Sequence, residues 1–220
     1  MIKPPLPQSA PEYSEDQKLT IGQIKVADKL YYIDYEGFVG HQPSLAGLWH
    51  DGQIEQFTFE PILAPLALDL GVTYLTWDEW IAKLHGLKLR GFLAVGYTMH
   101  EAESTPEMGL PEAWYRNAHW FLKRQVAWSK ATRPRTWSLD GVANHLGFKL
   151  KRYGTKQATQ RLRYTLQFAE RYGDIQHFTP TAKAKWTKLL NYNRQDVESL
   201  KFATEVGLSL FLTSNKPDQS

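Results

Sequence analysis

The chain contains no cysteine among its 220 residues. That absence removes disulfides, thiolate metal sites and cysteine nucleophiles together, so any metal must be held by oxygen or imidazole ligands. It also fits a cytoplasmic location. No apolar run approaches the roughly 20 residues of a membrane-spanning helix, and the N-terminal stretch has no signal-peptide core. Internal repeats and low-complexity blocks are missing from the interior as well. What remains is 42% hydrophobic and 22% charged, long enough to bury one full core. The expected organisation is a loose arm over 1–22, rich in Pro, Ser and charge, one folded domain over 23–213, and a frayed tail over 214–220.

The net charge of +3 hides an uneven distribution. Residues 1–110 hold 7 Lys/Arg against 15 Asp/Glu, whereas residues 111–220 hold 19 against 8. An acidic half can gather divalent cations and a basic half can attract phosphates, although uneven surface decoration gives the same count.

Strand signals come first, at 30–36, 44–52 and 53–61, with Asp51-Gly52 marking a hairpin between the last two. A helix is expected at 77–86, opened by Thr76 and stopped by Gly86, followed by a short buried strand at 91–97. The chain then turns helical, with helices from Pro111 to Thr132, at 138–148, at 155–173 ending on Gly173, and from Thr181 to Leu212 with room for a break. Three meandering strands, a helix, a buried strand and then helices predict an α/β fold, with a mixed sheet covered by helices.

Chemistry is signalled first by "LYYIDYEGF" at 30–38. Strand side chains alternate, so Asp34 and Glu36 share one face with Leu30 and Tyr32. Two like charges in an apolar setting repel and lose hydration, a cost that a bound cation offsets. An exposed edge strand with two solvated acids reads the same way unless more acids converge. Two later segments supply them. In "YNRQDV" at 192–197, Tyr192 and Asp196 lie one helical turn apart on one face. In "VGYTMHEAES" at 95–104, Glu101 falls just beyond a strand end, where α/β ligand sites gather.

Together, Asp34-Tyr35-Glu36, Tyr97-Thr-Met-His-Glu101 and Tyr192-Asn-Arg-Gln-Asp196 resemble the DEDD superfamily of 3′–5′ exonucleases, tyrosine branch, and within it a predicted-exonuclease subgroup. The resemblance covers the order and spacing of elements over residues 28–212. It implies a ribonuclease-H-like fold, an antiparallel three-strand meander plus parallel strands flanked by helices. It also implies a hydrolase that cuts phosphodiester bonds with two Mg²⁺ or Mn²⁺ ions, the attacking water being activated by the ion on Asp34, Glu36 and Asp196. By the same resemblance Asp34 bridges both ions, Glu101 supports the second, and Tyr192 orients the water, since a phenol is a poor base at neutral pH. Where relatives have a small hydroxyl residue after the second acid, this chain has Gly37, and its middle acid is Glu rather than Asp. Glu103 and Asp140 are the other candidates for that middle position. Glu103 points off Glu101's helical face, and Asp140 belongs to a later helix, so Glu101 ranks first.

Substrate contacts are expected at Gly37, where a nucleotide can approach the backbone, and at Phe38, by stacking on a base. The alternatives are a turn glycine and core packing. His100, beside Glu101, is a further neighbour. Lys156 and Arg163 share a helix face within the basic segment 149–163, which can track a phosphate backbone or simply be solvated. Trp114, Trp120 and Trp128 alternate with Arg116, Lys123, Arg124 and Lys130, though most of these rings suit a core. A nucleic acid strand, single or at its 3′ end, is the expected partner. An endonuclease of the same fold, or a catalytically weak nucleic-acid-binding module, are the alternatives.

Overall fold

Residues 18–24, 29–105, 114–129, 133–153 and 157–214 are described by a computed structural model of the protein. Of the arm expected over 1–22, residues 1–17 lie outside the described residues, as do 215–220 of the tail. Lys18 bridges Asn117, and Leu19 is buried with its N–H donating to the Asn117 carbonyl at 3.1 Å.

In chain order the elements are α1 (Ile21–Ile24), β1 (Leu30–Gly37), β2 (Pro43–His50), β3 (Gln53–Thr58), a 3₁₀ turn (Pro61–Leu66) and β4 (Thr73–Tyr74). There follow α2 (Trp77–Leu89), β5 (Leu93–Gly96), α3 (His100–Glu103), β6 (Tyr115–Asn117), α4 (Ala118–Ser129) and α5 (Leu139–Leu146). The described chain closes with α6 (Ala158–Tyr172), a short 3₁₀ turn and α7 (Pro180–Ser214). One six-stranded sheet results, in the order β4-β3-β2-β1-β5-β6. The β1–β2 and β2–β3 pairs are antiparallel, and the β1–β5, β5–β6 and β3–β4 pairs are parallel. The fold is thus α/β with a mixed sheet flanked by helices.

The alternation in β1 organises both layers. Tyr31, Ile33 and Tyr35 face α2 and pack with Trp80, Leu84 and Phe57, and the Trp80 indole donates to the Tyr35 hydroxyl at 2.8 Å. Leu30 and Tyr32 face the other way, into a cluster with Phe121, Leu122, Val142, Val197 and Leu200 from α4, α5 and α7. A third cluster joins Leu45 to α6, α7 and the first 3₁₀ turn, where Trp186 donates to the Leu70 carbonyl at 2.7 Å. Asp34 and Glu36 therefore belong to the α7 side of the sheet.

Several boundaries differ from the sequence reading. Gly86 does not stop α2, because burying Leu87 holds the helix through Leu89, and Gly91 (φ 86°) makes the turn instead. Residues 115–117 are strand rather than the start of a helix. Pairing with β5 buries Tyr115 and Asn117 alternately, and the Asn117 carboxamide then accepts the His119 N–H at 2.8 Å to open α4. β3 ends at Thr58, and β4 was not foreseen. α7 runs unbroken because Trp186, Leu189, Val197, Leu200 and Ala203 keep one stripe in the core. The Asp51-Gly52 hairpin forms as read, with both residues at positive φ (48° and 84°) and His50 paired to Gln53. Among the described residues no helix is long and apolar enough to cross a membrane.

α7 comes closest to the sheet at Gly47, whose neighbours across the strands are Asp34 and Gln56. A Cβ at Gly47 would meet Val197 Cγ2 at 2.9 Å and Asn193 Oδ1 closer still. Both partners are fixed, since Val197 and Asn193 are fully buried. Gly47→Ala is expected to destabilise the fold by about 1–3 kcal/mol, the usual range for forcing an extra carbon into a packed core. Urea denaturation of the variant beside wild type measures it, and an unchanged midpoint would mean that α7 can lift away from the sheet.

Candidate active site

Three carboxylates converge where β1 ends beneath α7. Asp34, Glu36 and Asp196 each offer an oxygen, and these oxygens lie within 4.8 Å of one another. Each of the three residues is partly exposed, so the cluster reaches solvent. Just past Glu36 the β1–β2 register shifts, Glu36 pairing with Leu45 but Gly37 with Pro43. Such a bulge bends the strand and re-aims its terminal side chains.

Asp34 is held by Asn193, a residue the sequence reading passed over. The Asn193 Nδ2 donates to Asp34 Oδ2 at 2.8 Å and to the Asp34 carbonyl at 3.2 Å, and its Oδ1 accepts from Gln56 Nε2 at 2.9 Å. Gln56 also donates to the Leu190 carbonyl at 2.9 Å. The missing side chain at Gly47 is what lets this amide span from β1 to β3. Only the neighbouring Tyr192 and Asp196 carried a recognisable spacing.

Tyr192 and Asp196 share a face as their spacing requires, and the Tyr192 hydroxyl lies near enough to the Asp196 carboxylate to lower its proton affinity. Burial first, then the negative charges of Asp196, Glu36 and Asp34, push the phenol well above its ordinary value. It is therefore a hydrogen-bond donor at neutral pH, not a base.

The three candidates for the middle acid lie in different surroundings. Glu101 is buried (5% exposed) in α3, and its charge reaches Asp34, whereas Glu103 is exposed. The Glu101 Oε2 lies 2.7 Å from the Tyr115 hydroxyl, which also contacts the Thr98 carbonyl. Gly96 makes room for this pair, since a Cβ there would stand 2.8 Å from Glu101 Oε2 and closer to the Tyr115 oxygen. Glu101 remains outside the close three-carboxylate group. Asp140 lies in the first turn of α5, capped by Ser138. It acts on Asp196, and its Oδ1 is buried with no hydrogen-bond partner among the described residues. The two alternatives thus flank different members of the cluster.

Of the expected substrate contacts, Gly37 and Phe38 line a cavity of about 750 Å³ that also touches Glu36, Trp77, His100 and Glu103. Phe38 is half-buried against the α6–α7 cluster, with the Arg163 guanidinium 5.5 Å from its ring centroid. Arg163 is exposed, and Lys156 lies outside the described residues. Trp114 is core, while Trp120 is exposed with Lys18 and Lys123 over its ring at 5.6 and 5.3 Å. The side chain of Trp128 and the whole of Lys130 lie outside the described residues.

The donor set fits a hard divalent cation, being carboxylate oxygen alone with no sulfur or imidazole. Its electrostatics point the same way. Burial, then repulsion from Asp196, Glu36 and Glu101, raises Asp34 well above the usual carboxylate range. Burial and Asp196 push Glu36 up to about 8, against the lowering effect of Arg161. Burial and Asp140 push Asp196 up to about 7. A cation among these groups would displace their protons and cancel the repulsion.

This gives a pH signature. With folded values above the ordinary 4.5 for Glu36 and 3.8 for Asp196, the folded chain holds more protons than the unfolded chain between those values and about 8. Stability that is fully present below pH 4 is therefore lost as the pH rises through 7 to 8. In EDTA the melting temperature is expected to fall between pH 5 and pH 9 more steeply for wild type than for an Asp34→Asn/Glu36→Gln double variant. Mn²⁺ is expected to recover the difference in wild type only. Parallel slopes would show that the three carboxylates do not sense one another. No protein-family model matches the chain, and no curated protein does either.

Proposed function

We propose that the chain is a divalent-metal-dependent nuclease of the DEDD 3′–5′ exonuclease type, tyrosine branch, on a ribonuclease-H-like fold. One observation carries the reading: the first strand and the last helix of the described chain bring carboxylate oxygens of Asp34, Glu36 and Asp196 within 4.8 Å of one another, with Tyr192 beside Asp196. Supporting it are the antiparallel β1–β3 meander, the parallel β5 and β6 beside β1, and Glu101 placed just past the end of β5.

Asp34, Glu36 and Asp196 would hold one Mg²⁺ or Mn²⁺, and Asp34 with Glu101 would support a second. Bound there, two such ions supply Lewis-acid stabilisation of the attacking and leaving oxygens of a phosphodiester. The chain's own groups do the rest. Asn193 fixes the Asp34 carboxylate, so its lone pairs meet the cation without reorganisation. Tyr192 offers a hydroxyl donor beside Asp196, suited to orienting a water molecule. The cavity along Gly37, Phe38 and Trp77 takes the end of a strand, with aromatic edges for a base and a glycine for close approach. The basic second half of the sequence, Arg163 included, favours a phosphate backbone.

Asp34→Asn and Asp196→Asn are each expected to lower Mn²⁺-dependent hydrolysis of a single strand by about 10³-fold, the loss of several kcal/mol of transition-state stabilisation. Their melting temperatures should match or exceed wild type, because a repulsive charge is removed. Wild-type turnover by either variant would remove the site. Glu101→Gln is expected to impair hydrolysis far more than Glu103→Gln, and assaying Asp140→Asn beside them tells which flank matters. An end-labelled linear strand, a 3′-blocked strand and a circular strand separate the modes. Mononucleotides from free 3′ ends alone mark an exonuclease, and a cut circle marks the endonuclease alternative.

A further inference from the structure

Arg161 is a buried guanidinium with an open hand. It is 6% exposed in the first turns of α6, and its Nη2 donates to the Tyr153 carbonyl and, at 2.9 Å, to Gln157 Oε1. Its Nη1 is buried and has no hydrogen-bond partner among the described residues. A buried charge left part-paired is costly, so an arginine kept this way calls for a ligand.

Its position says which ligand. Two residues earlier, Thr159 Oγ1 donates to the Gly37 carbonyl at 3.2 Å, pinning α6 to the end of β1 immediately after Glu36. On the other side, the segment leading to Tyr153 is tied to α7, where Lys151 N–H donates to Gln195 Oε1 at 2.7 Å, next to Asp196. Arg161 thus sits between the two points where its neighbours are tied to the elements that carry the acid cluster, and its charge is felt by Glu36. Gln157, which caps the outer side of the guanidinium, is exposed and offers only a neutral amide oxygen. An anionic oxygen in its place would make a stronger, charge-assisted bond, and the planar fork matches two oxygens of one phosphoryl group.

We propose that Arg161 binds the phosphoryl group of the substrate at the acid cluster and, after cleavage, the phosphate of the released nucleoside 5′-monophosphate. This rests on the nuclease reading for the identity of the phosphate, but its test does not need turnover. The affinity of nucleoside 5′-monophosphates and of the matching nucleosides is measured by calorimetry in Ca²⁺, for wild type, Arg161→Gln and Arg161→Lys. Mn²⁺ binding to wild type and to Arg161→Lys, without nucleotide, is measured by electron paramagnetic resonance.

Wild type is expected to prefer the monophosphate over the nucleoside by about 10–100-fold, the range for charged hydrogen bonds. Arg161→Gln should lose that preference with nucleoside affinity unchanged, and its Mn²⁺ affinity is left out of the comparison because the substitution removes a charge beside Glu36. Arg161→Lys keeps the charge beside Glu36, so it serves even if the glutamine variant fails to fold. It is expected to lose about tenfold of the preference, because an ammonium lacks the fork. The proposal is overturned if wild type shows no preference, if the lysine variant keeps it whole, or if the lysine variant's Mn²⁺ affinity falls along with it, since Arg161 would then serve only to prop Glu36. An Arg161-dependent preference in a protein that never hydrolyses a strand in Mn²⁺ would overturn the nuclease reading and leave the phosphate site standing.

Discussion

The amide of Asn193, lying over the bare backbone of Gly47 and joined on one side to Asp34 and on the other to Gln56, is the contact on which the site depends. Asp34, Gly47 and Gln56 form one row across three strands. Only a row with nothing at its centre lets a helix side chain reach both ends. The same close seating sets the height of α7 above the sheet, and with it the position of Tyr192 and Asp196 one residue before and three after. Asn193 is fully buried, and its three hydrogen bonds, two to Asp34 and one with Gln56, leave it little freedom. Precision at the carboxylates therefore comes from packing rather than from any force between the carboxylates, which repel.

That repulsion is a cost the rest of the fold has to offset. Glu36, Asp34 and Asp196 raise one another's proton affinity, with Glu101 adding to Asp34 and Asp140 to Asp196. Among the described residues, the Arg161 charge, the hydrogen bond from Asn193 and the Tyr192 hydroxyl oppose them. Two well-filled clusters on the sheet faces, built on Trp80 and on Leu122 with Val197, supply the counterweight. Sites that hold cations are commonly strained in this sense when empty of charge compensation, and the strain is what makes ion binding favourable.

Much of this was legible before any coordinates. Alternation placed Asp34 and Glu36 on one face, the four-residue spacing placed Tyr192 against Asp196, and Thr76, Ser138 and Gly173 marked helix ends that the structure retains. What escaped is what local pattern cannot carry. Asn193 and Gly47 acquire their meaning from strands and helices far apart in the chain, and so does Tyr115, which meets Glu101 only because Gly96 leaves space. The three-residue β6 hides inside a helical periodicity, since Trp114, Ala118 and Phe121 recur at helical spacing while Tyr115–Asn117 pairs with β5. Between Glu101 and Asp140, chain order alone ranks one first. The structure gives each its own neighbour in the cluster.

Asp34 and its partner Asn193 are 159 residues apart, and Asp196 lies farther still along the same helix. A ribosome delivers them in that order, so the sheet's first strand waits for nearly the whole chain before its carboxylates have a roof. Until α7 is synthesised and docked, the acidic cluster does not exist, and Gly47 leaves an uncovered groove in a half-built sheet. Such long-range closure makes folding slow. It also makes the assembled site a report of completion: a chain cut short before α7 keeps its first two acids but lacks the third carboxylate that converges on them.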